Sequence, residues 1–130
     1  TIGDAEKLDA DTQFLLETAA ITHDIACPLC REKYGNTNGK YQEAEGAVLV
    51  RGFLADTGLT EKQIDRVSYL VGHHHTLSAV SGADYQILIE ADYLVNADES
   101  GYSAENIRNF RDKFFKTETG TRLLNAIYRV

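Results

Sequence analysis

An imidazole beside a carboxylate can grip a divalent cation, and the chain carries that pair at His23-Asp24. The remaining histidines stand in a row at His73, His74 and His75. Asp92 lies in the largely apolar run from Tyr85 to Val95. Each has an ordinary structural explanation when taken alone. A histidine at a helix end is commonly a cap, a His cluster near a helix C-terminus is favoured by the dipole, and an aspartate can pair with Arg or Lys. Cys27 and Cys30 have the spacing of a redox dithiol or of half a zinc site.

The elements that must position these residues read as helices. Asp9 or Asp11 caps a helix through Thr12 to Ile21, running towards His23. Residues 26–39 read as a loop, because they hold the only proline, Pro28, and the turn-rich run Gly35-Asn36-Thr37-Asn38-Gly39. A second helix is expected from Lys40 to Asp56, stopping near Gly58. Thr60 and Gln63 form a capping box that opens a helix with Ile64, Val67 and Val71 on one stripe. Beyond a turn at Ser81-Gly82, the Tyr85–Val95 run is apolar nearly all round and reads as a central helix. Ser103 caps the next helix, and Thr117 or Thr119 begins the last. The aromatics of these last two helices suit either the core or a homodimer interface. The expectation is one all-α domain over 1–130, a compact helical bundle of about five or six helices.

On this frame His23-Asp24 end the first apolar stripe, His74 continues the stripe of Ile64, Val67 and Val71, and Asp92 lies between Leu88 and Val95. Burying a carboxylate is costly unless it is paired or metal-bound. Two carboxylates beside neutral imidazoles are natural around a divalent cation, which compensates their charge. The convergence of three separate helices carries more weight than any one residue.

Thr22-His23-Asp24-Ile25 resembles the signature doublet of the HD superfamily of metal-dependent phosphohydrolases. Leu70-Val71-Gly72-His73-His74-His75 resembles the histidine-bearing helix of many members, and Glu90-Ala91-Asp92-Tyr93-Leu94-Val95 the later helix with the last metal-binding aspartate. Residues 9–128 as a whole resemble a branch of small bacterial HD proteins, through Glu32-Lys33-Tyr34-Gly35 and Gly39-Lys40-Tyr41-Gln42-Glu43 as well. The resemblance implies an HD-like bundle in which His23, Asp24 and Asp92 are metal ligands, with His73 or His74 binding a second metal or the substrate phosphate. The cation would be manganese, iron, cobalt, nickel, zinc or magnesium. Family members usually carry a further His on a helix before the doublet, and none precedes His23 here. Thr1 to Leu8 resembles the tail of that helix, so the ligand is expected upstream of Thr1, in keeping with the absence of methionine.

The implied chemistry is hydrolysis of a phosphoester or phosphoanhydride of a small, nucleotide-like molecule by a metal-activated water. In the family Asp24 would take the proton of that water. Lys33 and Lys40, flanking the Gly-rich segment, are candidates to bind the phosphate, with His73 and His74 as helpers, although both lysines also suit a solvated loop. Glu43 and Glu45 could serve a second metal or simply favour a helix start. The competing reading is a non-catalytic HD domain that binds metal or nucleotide as a sensor or interaction module. A thiol-redox protein built on Cys27 and Cys30 is a third. Composition, at 43% hydrophobic and 25% charged, is that of an ordinary soluble globular protein. The net charge of −7 argues against an extended nucleic-acid surface, and no apolar run suggests a membrane segment, so a cytoplasmic location is expected.

Overall fold

Local signals set most of the helix boundaries. The computed structural model describes residues 1–130 and is all-α, with eight helical segments. The first, α1 (Ile2–Ala5), is a single turn. Asp9 accepts the backbone N–H of Thr12 at 2.8 Å and so caps α2 (Ala10–Thr22).

The segment expected as a loop differs. Cys27–Tyr34 forms a helix, α3, and the two residues that suggested a loop bracket it. Pro28 stands in the first turn, where its missing N–H has no intrahelical partner to lose, and Gly35 ends the helix at φ 74°. Only residues 35–38 connect it to α4 (Gly39–Leu54). There Asn38 caps by accepting Lys40 N–H at 3.0 Å. The β-permissive Gly46–Val50 stretch is helical within α4.

Thr60 and Gln63 form the expected capping box on α5 (Glu61–His73). After it come α6 (Ala83–Glu99), α7 (Ala104–Phe114) capped by Ser103, and α8 (Glu118–Tyr128) capped by Thr117. No helix is long and apolar enough to cross a membrane.

The chain divides into two units, Thr1–Gln13 with Val80–Val130, and Phe14–Ala79. In the first, Tyr93, Ala97, Ile107, Phe115 and Leu124 form a core, against which Phe110 and Tyr128 pack. The aromatics weighed as a dimer face are thus largely core. A carboxylate, Glu90, is fully buried here. It accepts the N–H groups of Lys116 and Thr117, the Thr117 hydroxyl and the Gln86 amide, so it ties α6 to the start of α8.

In the second unit α4 packs along α5. The approach is close because Gly46 faces Val71, where an added Cβ would lie 3.0 Å from Cγ1, and Gly72 faces Ala47 at 3.1 Å. Ser68 Oγ donates to Ala47 O at 3.0 Å across the same seam. Ile64, Val67, Val71 and His74 are all buried, as the stripe predicts, and Leu70 is buried beside them.

Candidate functional site

A helix leaves its last carbonyls without intrahelical donors, and His23 and His74, just beyond two helix ends, use them. His23 follows α2 directly, and its Nδ1 lies 2.6 Å from Ala20 O. His74 caps α5, with Nδ1 2.6 Å from Val71 O. His73, the last residue of α5, has Nδ1 2.7 Å from Tyr69 O. A carbonyl can only accept, so Nδ1 carries the hydrogen in each ring and Nε2 holds the lone pair when the ring is neutral.

The tight turn after α2 sets Asp24 among two of these rings. Ile25 N–H donates to Thr22 O and Cys27 N–H to Asp24 O, both at 3.0 Å, which folds α3 back at once. His23 Nε2 lies 3.2 Å from Asp24 Oδ2, and the buried His74 Nε2 lies 4.0 Å from Asp24 Oδ1. The two imidazoles meet edge to face at 5.2 Å. Two Nε2 atoms therefore lie near one carboxylate, an arrangement that favours positive charge between nitrogen and oxygen, as a proton or a metal ion. The hydrogen bond from His23 holds the Asp24 carboxyl below the usual carboxylate range, helped by the charges of His23, His74 and His75 and opposed by burial.

Ligands on one cation, with bonds of about 2.0–2.2 Å, stand roughly 3 Å apart. His23 Nε2 and Asp24 Oδ2 meet that spacing, while His74 Nε2 lies further out. No set of three or more His, Cys, Asp or Glu side chains is gathered closely enough to enclose an ion. His23 and Asp24 fit two ligands of a divalent cation, with a second imidazole, that of His74, near the same carboxylate.

The other expected residues fall in different places. His73 stacks on Tyr69, with ring centroids 4.1 Å apart. Together with Lys40, Glu43, Arg51 and Asp65 it lines an open groove of about 560 Å³ between α4 and α5. The structure thus brings Lys40 and His73 to one surface. Arg51 spends its charge on Asp65 at 2.8 Å and Glu61 at 3.2 Å. Lys33 stands in the last turn of α3, beside the 35–38 connection, and pairs with Glu45 at 2.8 Å. That hydrogen bond holds its ammonium above the ordinary lysine range. Asp92 belongs to the other unit, half-buried on α6, and accepts the Asn96 amide at 3.1 Å.

Glu43 and Glu45 are occupied structurally. Glu45 receives Lys33 and the Tyr34 hydroxyl. Glu43 receives the N–H of His75 at 3.0 Å and the hydroxyl of Thr76 at 2.8 Å. Sequence reasoning gave Glu43 no such partner, because both donors lie more than thirty residues away. Glu90 was missed with less excuse: it interrupts the same apolar run as Asp92, and it is the more deeply buried.

Cys27 is half-buried and Cys30 fully buried, and neither is disulfide-bonded. They open a helix, but that helix follows a turn and not a strand. Burial, and then the negative charge of Asp24, pushes the Cys27 thiol up, opposite to the activation that a redox dithiol uses.

No family model, curated protein or solved structure matches the chain.

Proposed function

We propose that the chain is a metal-dependent phosphohydrolase of small phosphorylated molecules, nucleotides foremost. The observation that carries this reading is the pair of Nε2 lone pairs, from His23 and His74, turned on Asp24. The resemblance to the HD superfamily supports the same assignment. His23 and Asp24 are the ligands, and the resemblance adds Asp92. A divalent cation there supplies Lewis acidity and a bound water of lowered pKa.

The chain's own residues do the rest. The carbonyls of Ala20 and Val71 fix the tautomers of His23 and His74, so both present Nε2 without rearrangement. Asp24 Oδ1, on the His74 side, can take the proton of the attacking water. Lys40 and His73, on the α4–α5 groove, supply positive charge for phosphoryl oxygens. Lys33 is held by Glu45 and is assigned no part.

The absence of a closed three-donor set favours a second reading, a metal- or nucleotide-binding domain without turnover. Metal content by mass spectrometry, on the wild type and on His23→Ala and Asp92→Ala, tests both. Near-stoichiometric metal lost with His23→Ala, and phosphate released from nucleotides, supports the enzyme. Bound metal without turnover supports the second reading. Folded protein that stays empty with Mn²⁺ or Co²⁺ supplied overturns both. Loss in Asp92→Ala shows whether the resemblance extends to α6.

A further inference from the structure

The segment after α5 is clamped by the first half of α4. Glu43 takes the His75 N–H at 3.0 Å with Oε2 and the Thr76 hydroxyl with both oxygens, at 3.1 and 2.8 Å. The buried Gln42 places Oε1 3.0 Å from His75 Nε2, while its own amide donates to Thr37 O. Gly39 lies under the His75 ring, where a Cβ would stand only 3.0 Å from Cγ. His75 in turn packs against His74, with ring centroids 4.0 Å apart and planes tilted by 45°. His74 is thus held on one side by the clamped His75 and on another by the edge of His23.

We propose that Glu43 is a positioning residue for His74, acting through His75 and Thr76, and that it thereby sets how well His74 joins His23 and Asp24 at a cation. This rests on the cation-binding reading above. A carboxylate suits the role, because His75 N–H and Thr76 O–H both reach Oε2 while Thr76 also reaches Oε1, and the single carbonyl oxygen of a Gln could keep only part of that set. Both its oxygens hold donors from the segment after α5, as a clamp on that segment does.

The test compares wild type with Glu43→Gln, Glu43→Ala and Thr76→Val, the last removing the hydroxyl without touching α4. In metal-free protein, imidazole ¹⁵N NMR should show the His74 ring signals displaced in Glu43→Ala and less so in Glu43→Gln and Thr76→Val. In Co²⁺ titrations followed by visible absorption, Glu43→Ala should bind about tenfold more weakly with altered bands, and Glu43→Gln should recover part of the loss. Unmoved His74 signals overturn the proposal whether or not any metal binds, as do wild-type affinity and bands in Glu43→Ala with a lowered Tm. Loss of a second cobalt equivalent also overturns it, by making Glu43 a ligand. A wild type that binds no cobalt, yet shows the His74 displacement, sinks the cation-binding reading while leaving the positioning role supported.

Discussion

The same substitution in one helix should have opposite signs at two positions. Gly46→Ala adds a methyl carbon 3.0 Å from Val71 Cγ1 and 3.8 Å from Ala26 Cβ. Val71 is fully buried and β-branched, so its side chain has no second rotamer to retreat into. Overpacking of this kind costs about 1–3 kcal/mol, against a helix-propensity gain of about 1 kcal/mol from Gly to Ala. The net expectation is a loss of roughly 1 kcal/mol. Gly52→Ala meets nothing within 4 Å, so the propensity gain of about 0.5–1 kcal/mol stands alone. For a chain of 130 residues each should move Tm by about 3–5 °C, downward for Gly46→Ala and upward for Gly52→Ala. Thermal and urea melts followed by circular dichroism read both. The site adds a second discriminator. Val71 O is the acceptor for His74 Nδ1, so pushing Val71 aside should weaken cobalt binding in Gly46→Ala and leave it unchanged in Gly52→Ala. Shifts of the same sign at both positions would refute the packing argument.

Gly120→Ala should be among the most damaging single changes, since its Cβ would lie 2.0 Å from Glu90 Oε1 and 2.7 Å from Thr117 Oγ1. The buried carboxylate cannot withdraw without abandoning the Lys116 and Thr117 N–H groups, so a loss of about 3 kcal/mol is expected in urea melts, and an unchanged midpoint would show that the clasp is soft. Iodoacetamide at neutral pH should label the native protein slowly at Cys27 and leave Cys30 untouched until denaturant is added, as read by peptide mass spectrometry. Equal labelling of both thiols in the folded protein would contradict their placement on α3.

Features set by near neighbours along the chain were legible in the sequence. The Thr60–Gln63 box, the Ser103 and Thr117 caps and the apolar stripe ending in His74 all depend on contacts three or four residues apart. The α3 helix was lost because Pro and Gly mark both the interior of loops and the ends of helices, and only the length of chain between them decides. Charge inside α6 was judged at Asp92, which is half-buried, whereas Glu90 is fully buried and Val95 largely exposed. Only one donor to Glu90, the Gln86 amide, is a near neighbour, and the backbone donors come from 26 and 27 residues further on, beyond the reach of periodicity.

The histidines show why a capping role and a ligand role are not rivals. His23 and His74 each give Nδ1–H to a carbonyl three residues back, which is what a helix terminus offers any donor nearby. That local bond is also what leaves Nε2 as the basic atom and fixes its direction, the condition for binding a cation without first choosing a tautomer. Under the proposed reading, a histidine on a helix terminus already meets one condition of a metal ligand. The other condition is long-range: Asp24 must be carried between the rings by the turn into α3, and α5 must end at one fixed point against α4. Glu43, Gln42 and Gly39 do the second of these, and none of them resembles a site residue when read along the chain.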